Sequence, residues 1–199
     1  MALTTVLLDL DGVVRHFDPD RGESIERRHG LATGVLSATA FESDLIGRVV
    51  TGRMHRVDWV EEIGERVGSP AAARECFSGH GVVDERMLAE VDWLRSGGVV
   101  VAVLTNGTDT IPAEMTDLGL DVRFDAIFNS AELGVAKPDR RVFELVCSHL
   151  QVDPRQVFFT DDSAGNLRGA IEIGMTARRF EDVDTFRRHL TEAGFAVAP

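Results

Sequence analysis

Short apolar runs recur along this 199-residue chain, and segments with apolar residues at helical spacing separate them. Continuous apolar runs of this length are typical of strands that are buried on both faces of a parallel sheet. The pattern predicts strands at residues 6–8, 99–104, 126–128, 157–159 and 176–179.

Helices are predicted between these strands, at residues 84–95, 111–118, 139–150, 164–173 and 182–193. Regular alternation of strands and helices implies right-handed crossovers, which bring the carboxyl ends of successive strands to one edge of the sheet. The predicted fold class is therefore α/β, a Rossmann-like parallel sheet with helices on both faces.

The connection between the first two predicted strands is far longer than one crossover needs. Helices are predicted within it at residues 21–29, 36–50, 57–67 and 70–77. Several short helices with one apolar stripe each form a small bundle. We therefore predict a Rossmann-like catalytic core of residues 1–14 and 84–199. A small α-helical cap of residues 15–83 is inserted after the first strand, as a lid over the sheet edge.

The first apolar run ends in Asp9-Leu10-Asp11-Gly12-Val13, which places two carboxylates at the edge of the sheet where ligands bind in such folds. Neighbouring carboxylates repel each other and need a proton or a cation between them, and a hard divalent metal such as magnesium (Mg²⁺) suits oxygen ligands. Side chains two residues apart on a strand share a face, so Asp9 could attack a substrate while Asp11 handles its proton. The alternative is an ordinary turn built from Asp and Gly.

Three further polar clusters follow predicted strands or lie in the loops beyond them: Thr105 and Asn106, Lys137, and Asp161 and Asp162. Singly, each has a structural explanation as a strand-to-helix turn, an exposed loop or a helix N-cap. Together, in this order and on these elements, they favour a functional site. Lys137 is the only lysine among 21 basic residues, which indicates a position that needs a compact ammonium rather than a planar guanidinium.

In order and residue type, the four clusters resemble motifs I to IV of the haloacid dehalogenase-like superfamily of hydrolases, and the match extends over the whole chain. The resemblance implies that Asp9 is a nucleophile that forms an aspartyl-phosphate, and that Asp11 is the general acid and base. It also implies that Thr105, Asn106 and Lys137 bind and stabilise the transferred phosphoryl group.

The same resemblance implies a Mg²⁺ site formed by Asp9, the backbone carbonyl of Asp11, and Asp162, with Asp161 acting directly or through water. Dehalogenase members of the superfamily lack the second aspartate of motif I and need no metal. Because Asp11 is present and motif IV is acidic, the resemblance favours the phosphatase branch with a small α-helical cap. Asn166, four residues beyond Asp162, is expected to steady this loop.

The predicted function is Mg²⁺-dependent hydrolysis of a small phosphomonoester, as in the bacterial sugar-phosphate phosphatases and the phosphatase domain of soluble epoxide hydrolases that the chain resembles. A phosphomutase of sugar phosphates and a non-catalytic ligand-binding member of the same fold remain alternatives. Arg15 and His16, directly after motif I, are predicted to bind the substrate or its phosphate and are the best-placed candidates for substrate choice, together with Phe17. Arg53, His55 and Trp59 of the cap are weaker candidates.

A net charge of −12 argues against nucleic acid and anionic membranes as partners. The predicted partner is a small phosphorylated metabolite, because a helical lid over the cleft would obstruct a macromolecule. Cys76 and Cys147 show no metal-binding or redox spacing and are predicted to be reduced, in a cytoplasmic protein. The apolar N-terminal segment is too short to span a membrane and lacks the basic flank of a signal peptide. The oligomeric state is not predicted.

Overall fold

A computed structural model describes residues 2–198. The strands are β1 (Thr5–Leu8), β2 (Arg15–His16), β3 (Val82–Val83), β4 (Val100–Thr105), β5 (Ala126–Asn129), β6 (Val157–Asp161) and β7 (Thr176–Arg179). Five of them form one parallel sheet in the order β5-β4-β1-β6-β7, so β1 lies in its centre. The predicted parallel α/β sheet is confirmed.

The helices alternate with these strands in the second half of the chain and follow one another in the first half. They are α1 (Arg21–Arg28), α2 (Val35–Ala40), α3 (Ser43–Val49), α4 (Arg56–Val67), α5 (Pro70–Cys76), α6 (Glu85–Ser96), α7 (Ile111–Asp117), α8 (Ser130–Leu133), α9 (Arg140–Leu150), α10 (Arg168–Glu172) and α11 (Val183–Glu192). Short 3₁₀ turns cover Pro154–Gln156 and Ala164–Leu167. No helix within residues 2–198 is long and apolar enough to cross a membrane.

Both faces of the sheet are buried, which explains why its strands are continuous apolar runs. Successive side chains of a strand point to opposite faces. Val6 and Phe158 accordingly belong to the hydrophobic core on one face, whereas Leu7 and Phe159 belong to the core on the other. The sheet therefore forms a rigid platform whose carboxyl edge is set by β1, β4 and β6.

Residues 15–83, here called the insert, contain α1 to α5 and a hydrophobic core of their own around Trp59 and Ile63. The single helix predicted over residues 36–50 is wrong, because the chain turns at Phe41-Glu42 between α2 and α3. The turn lets both helices pack on Trp59, whose indole nitrogen donates a hydrogen bond to the carbonyl of Ala40 at the end of α2.

Strands β2 and β3 form an antiparallel pair that the sequence analysis did not predict. A strand of two residues is too short to show an alternation of apolar and polar positions. These two strands also lie far apart in the sequence, near the two ends of the insert. Their pairing places the two connections between core and insert side by side. The predicted domain boundaries at 14/15 and 83/84 fall at this pair of strands and stay predictions. The short helix α8 was not predicted, and the helix predicted at 164–173 is a 3₁₀ turn followed by α10.

Candidate active site

The carboxyl ends of the three central strands bring the polar clusters together. Asp9 follows β1 directly, Thr105 ends β4 and Asp161 ends β6, and all three residues are buried. The backbone N–H of Asp9 donates to the carbonyl of Thr160 at 3.0 Å, which continues the pairing of β1 with β6 beyond the strand end. The backbone of the sheet therefore fixes the start of each motif.

Lys137 lies between two of these carboxylates. Its Nζ is 2.7 Å from Asp9 Oδ1 and 2.6 Å from Asp161 Oδ2, and its side chain is completely buried. The amide side chain of Asn106 holds the lysine's backbone from both sides, donating to its carbonyl at 2.9 Å and accepting from its N–H at 2.8 Å. Asn106 thus positions the Lys137 loop, and its contact with phosphate stays a prediction.

Asp161 is held by neutral donors in addition to the lysine. Its Oδ1 accepts the backbone N–H of Ser163 at 2.8 Å and the side-chain amide of Asn166 at 3.0 Å. Gly12 lies close to the next aspartate, since a Cβ at residue 12 would be 2.5 Å from Asp162 Oδ2. Gly12 also has a φ of +83°, a backbone conformation that favours glycine. Both this conformation and the closeness of Asp162 therefore disfavour a larger residue at position 12.

Asp9, Asp161 and Asp162 can each offer a carboxylate oxygen to a common point, because these oxygens lie within 4.8 Å of one another. Three carboxylates face one ammonium group. Burial and the neighbouring Asp161 raise the pKa of Asp9 from 3.8 to about 7, although Lys137 opposes the shift. Burial, and then Asp161, also raise the pKa of Asp162. Hard oxygen donors with uncompensated negative charge fit a divalent cation such as Mg²⁺.

The Asp11 carboxylate lies outside this group of three and pairs with Arg15 instead. Nε of Arg15 donates to Asp11 Oδ1, and Nη2 lies 3.4 Å from Oδ2. Nη1 donates to Glu114 Oε2 at 2.7 Å and to the carbonyl of His80 at 3.3 Å. Glu114 was not predicted as a site residue, because nothing in the sequence distinguishes a buried glutamate of a helix from an exposed one. The predicted contact of Arg15 with substrate phosphate stays a prediction.

The remaining sequence candidates lie in or beside the insert. His16 is exposed, with Nε2 3.4 Å from Asp84 Oδ2, and Arg53 donates to Thr51 Oγ1 at 2.9 Å. Trp59 belongs to the core of the insert, and the roles of all these residues toward substrate stay predictions.

The N-terminus of α4 docks onto the loop after β4. Asp109 accepts the backbone N–H of Arg56 at 2.8 Å, and its other carboxylate oxygen is 2.8 Å from Nδ1 of His55. Nearby, Gly52 packs against the carbonyl of Ala131, where a Cβ would lie 2.2 Å from the oxygen. The insert therefore contacts core residues, Asp109 and Ala131, that lie close in sequence to Thr105 and Lys137.

The family model for haloacid dehalogenase-like hydrolases matches residues 3–174 of this chain. The chain belongs to this family. The resemblance to the superfamily, predicted from four short motifs, is confirmed over most of the sequence.

Among curated proteins, the chain is 29% identical over 216 residues to bifunctional epoxide hydrolase 2 of Sus scrofa, covering 96% of this chain and 38% of that relative. The chain thus spans little more than a third of that relative's length. A phosphatase of Mycobacterium tuberculosis is 28% identical over 194 residues, covering 89% of this chain and 87% of the relative. An (S)-2-haloacid dehalogenase of Burkholderia cepacia is 34% identical, over 43% of this chain and 38% of its own length.

Solved structures share the fold. A haloacid dehalogenase family enzyme of Bacteroides thetaiotaomicron, solved in complex with magnesium and inorganic phosphate, superposes with a TM-score of 0.76 at 22% identity. The superposition covers 93% of this chain and 99% of the other. The Rossmann-like architecture of the family is therefore shown for this chain.

Proposed function

We propose that this hydrolase is a Mg²⁺-dependent phosphatase that cleaves a small phosphomonoester through an aspartyl-phosphate on Asp9. The observation that carries the proposal is the buried Asp9–Lys137 pair within a group of three carboxylates. The relatives with phosphatase names and the magnesium- and phosphate-bound structure of the same fold support it. The insert beside the site would obstruct a macromolecule, which favours a small phosphorylated metabolite as substrate.

Each step has a candidate residue. An oxygen of Asp9 attacks phosphorus, the bond from phosphorus to the substrate oxygen breaks, and Asp11 gives the leaving oxygen a proton. Water then attacks the phosphorus of the aspartyl-phosphate, Asp11 takes up a proton from it, and phosphate leaves with Asp9 restored. Thr105 and Lys137 stabilise the negative charge on the transferred group.

Asp9, Asp162 and the backbone carbonyl of Asp11 would hold Mg²⁺, with Asp161 direct or through water. When bound, the metal supplies the positive charge that lets an anionic nucleophile meet an anionic substrate. Asn106 fixes the loop that carries Lys137. Lys137 can therefore add its own positive charge where Asp9 meets the substrate phosphate.

Haloacid dehalogenases also match parts of the chain, so hydrolysis of a carbon–halogen bond is the competing function. Asp11 and the acidic group around Asp162 argue against it, because a halide leaves without a proton and dehalogenation needs no metal. The two functions differ in product and in metal requirement, which makes them separable in one assay.

The test measures phosphate release from sugar phosphates, nucleotides, an alkyl phosphate and p-nitrophenyl phosphate, with Mg²⁺ and with EDTA. We expect release that EDTA abolishes and that falls about 10⁴-fold or more in Asp9→Asn, because the nucleophile is lost. Asp121→Asn, at an exposed position, is the matched control and should keep full activity.

Other outcomes would overturn the proposal in distinct ways. Chloride release from a 2-haloacid in EDTA would identify a dehalogenase. Transfer of phosphate to a second hydroxyl, with dependence on a sugar bisphosphate, would identify a mutase. Binding of Mg²⁺ and a phosphorylated compound without any turnover would identify a ligand-binding member of the fold.

A further inference from the structure

We infer that Arg15 is the positioning residue of Asp11, and that buried Glu114 anchors Arg15 for this task. The inference rests on the proposed function, in which Asp11 transfers the proton, and it assigns Arg15 a role other than binding phosphate. It depends on the contacts of one guanidinium group with two carboxylates of unequal exposure.

Arg15 is built into the same loop as the aspartate that it contacts. Its backbone N–H donates to the carbonyl of Leu10 at 3.0 Å, and its carbonyl accepts the N–H of Gly12 at 2.8 Å. This tight turn returns the side chain to Asp11, four residues earlier, and Phe17 packs on the guanidinium at 5.3 Å from ring centroid to Cζ. The loop geometry therefore directs Arg15 to Asp11.

The two partners of Arg15 differ in how firmly the protein holds them. The side chain of Glu114 is 5% exposed, whereas that of Asp11 is 43% exposed. Glu114 also accepts a hydrogen bond from the Thr110 hydroxyl at 2.6 Å and lies 3.5 Å from Nη1 of Arg56 in the insert. Glu114 therefore holds Arg15 in place, and Arg15 in turn sets the orientation of the more exposed Asp11 carboxylate.

Only a guanidinium can do this with one side chain. Its planar fork presents separate N–H groups to two carboxylates at once in a fixed geometry, whereas an ammonium is a point charge on a flexible stem. A general acid must lie within hydrogen-bond reach of the leaving oxygen, so a freely rotating Asp11 would be less effective. Arg15 reduces that freedom through its hydrogen bonds to the Asp11 carboxylate.

The inference predicts a dependence on the leaving group. An alkyl phosphate needs a proton on its strongly basic leaving oxygen, whereas p-nitrophenolate leaves with little help. We expect Arg15→Gln to lower kcat/KM, which reports the steps up to departure of the leaving group, about 10- to 100-fold on the best alkyl phosphate of the panel and less than about 3-fold on p-nitrophenyl phosphate. Asp11→Asn should show the same selectivity more strongly.

Two further variants separate positioning from charge and from folding. Arg15→Lys keeps the charge but loses the fork, whereas Glu114→Gln keeps Arg15 and weakens its anchor by removing the negative charge of Glu114. Both should show the leaving-group selectivity, with folding checked by circular dichroism. Arg140→Gln, which breaks an exposed pair with Glu144, is the matched control and should leave both substrates unaffected.

An equal loss of kcat/KM on both substrates, or no loss on either, would overturn the inference. A raised KM with unchanged kcat on both would instead make Arg15 a phosphate ligand. The pair is also tested without turnover, through the Nε–H resonance of Arg15 in ¹H–¹⁵N spectra. Asp11→Asn should shift it, and an unshifted resonance would show that the pair is absent. If the wild-type protein shows no activity on any substrate, the proposed function is refuted, but the contact between Arg15 and Asp11 is not.

Discussion

Two clusters of charged side chains near the carboxyl edge of the sheet differ in their balance of charge. The inner cluster comprises Asp9, Lys137, Asp161 and Asp162. The outer cluster comprises Asp11, Arg15, Arg56 and Glu114. The inner cluster sets three carboxylates against one ammonium, whereas the outer one sets two carboxylates against two guanidinium groups. Negative charge is therefore in excess only at the inner of these two clusters.

Two buried carboxylates show the effect of this difference. Burial alone would raise the pKa of both Asp9 and Glu114. The pKa of Asp9 does rise to about 7, because Asp161 adds to the effect of burial and Lys137 offsets only part of it. The pKa of Glu114 falls instead, because hydrogen bonds from Thr110 and Arg15 outweigh its burial. The inner cluster thus needs a proton or a further cation, whereas the cations of the outer cluster already balance its carboxylates.

The largest predicted effect is on stability, from removing the one cation of the inner cluster. Lys137→Met leaves the carboxylates of Asp9 and Asp161 buried together, which should lower the free energy of unfolding by about 3–5 kcal/mol at pH 8 without metal. The loss should shrink at pH 5, where Asp9 is protonated because its pKa is raised. Denaturant unfolding at both pH values measures it.

The control for this experiment is Arg140→Met, which removes a cation from an exposed pair on α9 and should not change stability measurably. A loss in Lys137→Met that is the same at pH 5 and pH 8 would contradict the charge argument. It would indicate that the lysine stabilises the fold through packing of its aliphatic chain alone.

A smaller effect is expected on metal binding as pH changes. The folded pKa of Asp9, about 7, lies above the ordinary value of 3.8, so the metal-free protein loses stability as pH rises from about 4 to about 7. Below pH 7, Mg²⁺ must displace a proton from Asp9. Its apparent affinity should therefore rise about tenfold per pH unit up to about pH 7 and then level off. Calorimetric titration between pH 5.5 and 8 measures this.

Variants of the two clusters sharpen the contrast. Asp162→Asn should weaken Mg²⁺ binding at every pH, since it removes a candidate ligand. Glu114→Gln, in the outer cluster, should leave both the affinity and its pH dependence unchanged. Mg²⁺ binding that is equally sensitive to both variants would mean that the two clusters act as one electrostatic unit.

The inner cluster could be predicted from the sequence because its residues follow strands or lie in the loops beyond them. A continuous apolar run such as Val6-Leu7-Leu8 predicts a buried parallel strand, and parallel strands end at a common edge. Asp9 and Asp161 had to meet there once the strands were correct. Lys137 lies in a loop, yet its isolation among arginines marked it as a special position.

The outer cluster could not be predicted, because it depends on contacts between distant segments. Glu114 lies on α7 and Arg56 on α4, and each is indistinguishable in sequence from an exposed residue of a helix. Arg15 was correctly noticed beside the first motif, but the direction of its side chain depends on the tight turn after Leu10 and on the contact with distant Glu114. The turn at Phe41-Glu42 was missed for a similar reason, since packing around Trp59 determines it.

The smallest predicted effect concerns an exposed contact between insert and core, beside the outer cluster. Asp109 raises the pKa of His55 through a hydrogen bond and its charge. Asp109→Asn removes the charge but keeps an oxygen that can accept the N–H of Arg56 at the start of α4. The pKa of His55 should therefore fall toward its ordinary value of 6.5, as measured by NMR titration of the imidazole protons.

The pair should favour the docked insert at pH values below about 6.5 and lose its contribution as pH rises through the folded-state pKa of His55. Because both side chains are accessible to water, salt should screen the effect, unlike that of the buried pairs. Asp121→Asn is the control and should leave the titration unchanged. If the pKa of His55 is the same in Asp109→Asn as in the wild type, the two side chains do not meet in solution. Docking of the insert would then depend on its other contacts with the core, such as those of Arg15 and Arg56 with buried Glu114, and salt should have little effect on it.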